Sequence, residues 1–118
     1  FAICDIHTNE LIGFSSINNI DMRNLKAQLG GILIGNKEYL GKGYGKESVI
    51  LTLHFLFSQY PINKCFTYVL DGHPASIKLF TSIGFTQDGI LRQDIFKHGE
   101  FKNLLLFSIL REEINGQF

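Results

Sequence analysis

The sequence predicts an α/β fold of the α+β type: a mixed, mostly antiparallel sheet with a parallel β-α-β crossover at its centre. Both ends of the chain read as β-hairpins, whereas the middle reads as strand, glycine-rich segment, helix and strand. A connection that long, between residues 27 and 70, must cross over the sheet, so the two strands that it joins should be parallel. The 118 residues contain no repeat and no linker, which predicts a single domain spanning residues 1–118.

The first half of the chain supplies three strands and a helix. FAICDI and LIGFSSIN flank HTNE and predict a hairpin, and AQLGGILIG predicts a third strand. The stretch VILTLHFLFSQY predicts a helix that ends before Pro61. One face of this helix is apolar at helical spacing, with Val49, Leu53, Leu56, Phe57 and Tyr60.

The second half predicts a strand, a helix and a closing hairpin. KCFTYVLDG is a short strand, and PASIKLFTSIG is a helix with Pro74 at its first position and Gly84 at its end. FTQDGILRQDIF and EFKNLLLFSILRE flank KHGE, which predicts a tight turn between two strands. LLLFSIL is apolar on both faces, so we expect a central strand covered on each side.

Composition excludes several classes of protein. Eleven basic and eleven acidic residues cancel, which argues against a nucleic-acid partner. The longest apolar runs are far too short for a membrane span. Cys4 and Cys65 have neither a CxxC nor a zinc-like spacing, so we expect no metal and two free thiols in a cytoplasmic protein. Because the chain begins at Phe1 within a strand-like pattern, we expect the N-terminal part of the domain to be missing.

The glycine-rich stretch EYLGKGYGKES, residues 38–48, predicts an anion site. A glycine-rich turn into a helix N-terminus points several backbone N–H groups at one spot, and the helix dipole adds partial positive charge there. A phosphate or pyrophosphate is the natural ligand, with Lys42 and Lys46 flanking it. The spacing fits neither GxxxxGK[ST] nor the dinucleotide fingerprint GxGxxG.

Two stretches resemble the GNAT superfamily of N-acetyltransferases over most of the chain. QLGGILIGNKEYLGKGYGKES is similar to the family's acetyl-CoA motif, whose loop reads Q/R-x-x-G-x-G/A. Gly43 and Gly45 fill the two glycine positions, and Leu40 replaces the usual Arg or Gln. HPASIKLFTSIGF resembles the second motif, in which His73 takes the place of the usual Asn. The ending is similar to the closing hairpin of the subgroup that includes ribosomal-protein and spermidine acetyltransferases.

The resemblance implies an acetyl-CoA-binding core at about residues 27–85. The pantetheine arm would lie as an extra strand against Ile32, Leu33 and Ile34, and an acceptor amine would attack the thioester directly in a ternary complex. The pyrophosphate would meet the backbone amides of the loop after Leu40: Gly41, Lys42, Gly43, Tyr44, Gly45 and Lys46. His73, Ser76 and Phe80 of the second motif would also contact the cofactor.

The catalytic side chains depart from those usual in the family. Many members place a tyrosine at the position of Phe80 as general acid, and phenylalanine cannot donate a proton. Some place a glutamate at the position of Tyr68, which can donate a hydrogen bond but is a poor base. The catalytic candidates are therefore Tyr68 and His73, and for His73 both a proton relay and a cofactor-binding role stay open.

Three hypotheses for the function of the protein remain open. The leading hypothesis is acetyl transfer to a protein N-terminus or a small amine. A second is transfer to a polyamine, an antibiotic or an amino acid. The third is a non-catalytic acyl-CoA-binding module, which the missing tyrosine and Arg/Gln favour. The acceptor stays open, and so does the choice between a monomer and a homodimer.

Overall fold

One sheet of six strands organises the part of the chain that the structure, a computed structural model, describes. The backbone is described for residues 2–4, 11–34 and 44–114, and side chains for residues 17–30 and 45–114. The strands are β1 (Ala2–Cys4), β2 (Leu11–Asp21), β3 (Lys26–Ile34), β4 (Lys64–Leu70), β5 (Thr86–Lys97) and β6 (Glu100–Leu110). The helices are α1 (Tyr44–Gln59), α2 (Pro74–Ile83) and the short α3 (Arg111–Ile114).

The strand order β1-β2-β3-β4-β6-β5 confirms the predicted fold class. Of the pairs in this sheet, β3 and β4 are parallel and the others are antiparallel. The N-terminal hairpin is present, with Ala2 opposite Phe14, although the predicted HTNE turn lies outside the described residues. The C-terminal hairpin turns at His98 and Gly99, whose φ angles of 54° and 77° suit a tight hairpin turn.

Helix α1 begins at Tyr44, several residues earlier than the sequence indicated. Its buried stripe contains four predicted residues, Val49, Leu53, Leu56 and Phe57. Tyr60 was a wrong prediction: it follows the last helical residue and is 38% exposed. Ser48 and Thr52 complete the stripe instead, because each hydroxyl donates to a helix carbonyl, to Gly45 O at 2.8 Å and Ser48 O at 2.7 Å.

Helix α2 begins and ends at the residues that the sequence predicts. Pro74 occupies its first turn, where the missing N–H costs nothing. Gly84 ends the helix with a φ of 117°, in the left-handed region that favours glycine, and its N–H bonds to the carbonyls of Phe80 and Thr81. The helix therefore starts and stops where its sequence requires. No helix in the described ranges is long and apolar enough to cross a membrane.

The core lies on one face of the sheet, where α1 and α2 pack side by side. On β6, Leu105, Phe107 and Ile109 are buried against this layer. The opposite face of the same strand, with Leu104 and Leu106, is only half-buried. The sequence predicted that β6 is covered on both faces. In the structure only the face toward α1 and α2 is fully covered. We call the two sides of the sheet the helix face and the open face.

Candidate functional site

The parallel strands β3 and β4 separate part-way along their length. They pair through three residue pairs, the last of which joins Gln28 to Phe66. Strand β3 continues to Ile34 and β4 to Leu70, but no further pair joins them within the described backbone. A gap with one strand edge on each side opens beyond Gln28.

A bulge in β3 coincides with the separation. Ser15 lies opposite Ile32 and Ile17 opposite Leu29, so β3 uses three steps where β2 uses two. The extra residue falls at Gly30 and Gly31, and a bulge bends its strand and increases the local twist. The predicted pantetheine segment Ile32–Ile34 remains paired to β2 on one edge and presents its other edge to the gap.

Two side chains of β4 hold the backbone of Leu29 at the point of separation. The Thr67 hydroxyl donates to the Leu29 carbonyl at 3.1 Å, and both residues are buried. Cys65 lies two residues earlier on the same face of β4, and burial raises the pKa of its thiol to about 12 even though the Leu29 N–H donates to the sulfur. The thiol is therefore neutral and inert, which excludes Cys65 as a nucleophile.

A cavity of about 530 Å³ fills the gap. Thr67 and Val69 point to the helix face of β4 whereas Tyr68 and Leu70 point to the open face, yet all four line the cavity. The cavity thus passes through the sheet from one face to the other. Its remaining described lining is Asn18, Gln28, Leu29, Gly30, Gly45, His73, Ser76, Leu79, Phe80 and Lys97.

The first turn of α1 opens onto the helix-face side of this cavity. Gly45 lines it, and a Cβ added there would meet, among the described residues, only Leu79 Cδ2, at 4.0 Å. Packing against the described part of the chain therefore does not require a glycine, whereas a ligand that approaches the backbone would. Lys46 is exposed. Tyr44 begins the helix, so residues 44–46 are its first turn rather than part of a loop.

Part of the predicted anion site cannot be placed. Leu40, Gly41, Lys42 and Gly43 lie outside the described residues. What the described chain supplies at one wall of the cavity is a helix N-terminus, whose first backbone N–H groups have no acceptor within the helix. This is the local arrangement that binds phosphate groups in proteins.

His73 and Ser76 come together at the N-terminus of α2. The Ser76 hydroxyl lies 3.0 Å from His73 Nδ1, and both residues line the cavity. If Nδ1 accepts the hydroxyl proton, Nε2 carries the ring hydrogen and can donate; if Nδ1 donates, Nε2 can accept. The tautomer of His73 and the orientation of the Ser76 hydroxyl therefore depend on each other.

Phe80 and Tyr68 lie on opposite faces of the cavity. Phe80 is buried, packs edge-to-face on Phe85 at 5.1 Å and also lines the cavity, so it is both a core residue and a cavity wall. Tyr68 is 41% exposed, and its ring meets Phe66 edge-to-face at 5.9 Å. Tyr68 is thus a partly exposed residue whose side chain carries a hydroxyl.

Sequence reasoning missed four polar residues of this cavity: Asn18, Gln28, Thr67 and Lys97. They belong to four different strands and match no motif. Only the register of the sheet and the bulge in β3 bring them together.

A splayed parallel pair with a helix N-terminus at the gap is the arrangement that the GNAT resemblance implies. The family model of the acetyltransferase (GNAT) domain matches residues 1–86. The chain belongs to this family. The match covers the glycine-rich stretch, the splay and α2, and it ends at the start of β5.

Curated relatives of this GNAT chain carry acetyltransferase names. The uncharacterized N-acetyltransferase p20 of Bacillus licheniformis is 31% identical over 116 residues, which are 98% of this chain and 64% of that protein. The spermidine N(1)-acetyltransferase of Vibrio cholerae is 24% identical over 113 residues, 96% of this chain and 64% of that protein. The chain therefore spans less than two thirds of the length of these relatives.

Solved structures support the GNAT fold. A crystal structure of mutant forms of the spermidine/spermine N-acetyltransferase SpeG from Vibrio cholerae has a TM-score of 0.90 at 23% identity. The match covers 98% of this chain and 68% of that one. The spermidine N-acetyltransferase from the same organism in complex with CoA and spermine has a TM-score of 0.85 at 23% identity, with 92% and 63% covered.

Proposed function

We propose that this GNAT protein transfers the acetyl group of acetyl-CoA to a primary amine by direct attack within a ternary complex. The observation that carries the proposal is the cavity through the sheet, with the N-terminus of α1 at one wall and the edge of β3 at another. The names of the curated relatives support an amine as acceptor. A protein N-terminus and a small amine are both acceptors of this kind.

The cofactor would use backbone groups more than side chains. The pantetheine arm has two amides, which would pair as an added strand does with the edge of Ile32–Ile34 that has no strand partner in the described backbone. The pyrophosphate would lie against the first turn of α1, beside Gly45 and Lys46, together with the glycines of residues 41–43. Apolar contacts from Leu79 and Phe80 would exclude water along the arm.

The chemistry needs an unprotonated amine, a polarised thioester carbonyl and a proton for the thiolate. As the amine nitrogen bonds to the carbonyl carbon, the carbon–sulfur bond breaks and the electron pair leaves on sulfur. Backbone N–H groups at the splay would stabilise the developing oxyanion. Phe80 has no proton to give, so the thiolate would take one from water, from the ammonium product or from Tyr68. A thiolate is a good enough leaving group that a dedicated acid is helpful rather than obligatory.

His73 would orient the cofactor rather than move a proton. Its ring is already engaged with Ser76 at the N-terminus of α2, where a donor or acceptor at Nε2 meets the cavity. The asparagine usual at this position in the family can make the same hydrogen bond without titrating.

A non-catalytic acyl-CoA-binding module is the second candidate. It is favoured by Phe80, which removes a dedicated acid, and by Leu40, which removes a side chain from the anion loop. Both candidates require CoA to bind in the same cavity. They differ in whether an amine is consumed.

The decisive experiment measures CoA binding and thiol release on the same preparation. Isothermal titration reports the affinity for CoA and acetyl-CoA, and a thiol-reactive dye reports turnover with a panel of amines. CoA binding with amine-dependent thiol release supports the transferase. CoA binding without release for any amine supports the binding module, and no CoA binding contradicts both. A variant with Gly45→Val, in the first turn of α1, is the matched negative control.

We further propose a cytoplasmic location. Cys65 is a buried free thiol. Such thiols persist in the reducing cytosol, whereas disulfides are the rule in secreted proteins.

A further inference from the structure

The two faces of the cavity differ in chemistry. The helix-face part is lined mainly by apolar side chains: Leu29, Val69, Leu79 and Phe80. Its polar side chains already have partners, since the Thr67 hydroxyl donates to Leu29 and Ser76 contacts His73. The open face has one apolar residue, Leu70, and four polar ones, Asn18, Gln28, Tyr68 and Lys97. The pantetheine arm of the cofactor and a polar acceptor would therefore bind at opposite faces of the same cavity.

The register of the sheet places the polar group on a common face. Asn18 is the partner of Gln28, and Gln28 is the partner of Phe66, two residues before Tyr68 on β4. Tyr68 lies opposite Leu106, and Lys97 lies opposite Glu100. Residues 100, 102, 104 and 106 of β6 share one face because side chains alternate along a strand. The four polar residues thus belong to the open face.

Lys97 lines the cavity and forms no ion pair with a described carboxylate. Its cross-strand partner Glu100 would be the natural counter-ion, but the Glu100 carboxylate bonds to Lys102 Nζ at 2.9 Å, which holds the pKa of Glu100 below its usual value. Among the described residues no carboxylate lies within ion-pair distance of Lys97. The described lining of the cavity contains no aspartate or glutamate at all.

We propose that the acceptor is a primary amine that also carries an anionic group, a carboxylate or a phosphate, and that Lys97 binds this group. The inference rests on the acetyl transfer proposed above and adds the substrate class. A lysine with no nearby carboxylate repels a polyamine and attracts an amine with an anionic tail. Asn18 and Gln28 supply hydrogen bonds to the same tail or to the amine, and Gln28 is already oriented by the Asn19 amide at 2.6 Å.

The test compares amines that differ only in the group at the far end of the molecule. One series is γ-aminobutyrate, the corresponding amino alcohol and putrescine, which end in a carboxylate, a hydroxyl and an ammonium group. A second pair, phosphoethanolamine and ethanolamine, separates a phosphate from a carboxylate as the anionic group. Thiol release with acetyl-CoA gives kcat/KM for each amine, and isothermal titration gives CoA affinity.

We expect the anionic amines to have the highest kcat/KM and putrescine the lowest. Lys97→Gln should lower kcat/KM for an anionic amine by about threefold, and Lys97→Glu by about tenfold, because a partly exposed ion pair contributes modestly and charge reversal doubles the change. Lys97→Glu should also raise kcat/KM for putrescine. CoA affinity should not change, and Lys78→Gln, an exposed lysine on α2 that does not line the cavity, should leave every value unchanged.

The outcomes separate this inference from the proposal beneath it. A preference for putrescine, or a charge preference that does not move in Lys97→Glu, overturns the inference while the transferase stands. CoA binding without thiol release for any amine overturns both. Release with phosphoethanolamine but not with γ-aminobutyrate, reversed by Lys97→Glu, supports the inference and identifies the anion as a phosphate.

Discussion

The Thr67 hydroxyl donates to the carbonyl of Leu29 at 3.1 Å, at the level where the ladder between β3 and β4 ends. A side chain thus replaces the backbone hydrogen bond that a continuing parallel pair would have made. The bond satisfies a buried carbonyl and at the same time lets the two strands diverge. It sets the floor of the gap into which the cofactor would enter.

Replacing Thr67 by valine should destabilise the protein and weaken CoA binding. Valine has nearly the same shape but leaves the Leu29 carbonyl unpaired, at a cost of about 1–2 kcal/mol in the free energy of unfolding. Thr67→Ser keeps the hydroxyl and serves as the matched control. Urea unfolding and isothermal titration with CoA measure the two effects. A stability loss with unchanged CoA affinity would show that the bond supports the fold alone.

Gly45→Ala should separate stability from cofactor binding. An added Cβ meets no atom of the described residues closer than 4.0 Å, and alanine is the better helix former, so the free energy of unfolding should rise by about 0.5 kcal/mol. CoA affinity should nevertheless fall by about tenfold, because the methyl group stands between the ligand and the helix N–H groups. Thermal unfolding and titration with CoA test this pair. Equal or tighter binding would place the pyrophosphate elsewhere.

His73→Asn should leave kcat nearly unchanged. Asparagine can keep the contact with Ser76 and the hydrogen bond to the cofactor, while it has no titrating proton in the neutral range. The pH profile of kcat should therefore keep its acid limb. A large loss of kcat with unchanged CoA affinity, together with a shifted acid limb, would assign a proton relay to His73.

Asp88 should make stability depend on pH in the acid range. The Ser108 hydroxyl at 2.6 Å and, after it, Lys64 at 3.1 Å hold the pKa of Asp88 below its usual 3.8. A lowered folded pKa means that the contribution is complete above the unfolded value and is lost as pH falls through the folded one. Asp88→Asn should cost about 1 kcal/mol near neutral pH.

The difference between Asp88→Asn and the native protein should shrink on acidification. Urea midpoints measured from about pH 6 down to about pH 2.5 check this, because protonation of the native carboxylate increases as pH falls. A difference that stays constant with pH would trace the loss to packing and not to charge.

The ends of α2, the parallel strand pair and most of the buried stripe of α1 could be predicted from the sequence. Pro74 and Gly84 bound α2 because one lacks an N–H and the other adopts a positive φ, and both properties act within a few residues. The parallel pair of β3 and β4 followed from the length of the connection between them. The buried stripe of α1 followed from its period, except at Tyr60, where the helix had already ended.

Other features depended on contacts between distant parts of the chain. The bulge at Gly30 and Gly31 is visible only against the register of β2, and the role of Thr67 only against Leu29, which is 38 residues away. Lys97 lines the cavity and is the cross-strand partner of Glu100, yet the Glu100 carboxylate pairs with Lys102, a choice between two lysines that strand alternation alone does not make.

The sequence by itself therefore determined the order of the strands and the two long helices, the ends of α2 and the family, since periodicity, glycine and proline act over short distances. Only the tertiary structure decided which polar groups share a cavity. Asn18, Gln28, Tyr68 and Lys97 come from four strands, and their meeting depends on register, on a bulge and on competing ion pairs. Those are properties of the packed sheet, where a shift of one residue would turn each of these side chains to the other face.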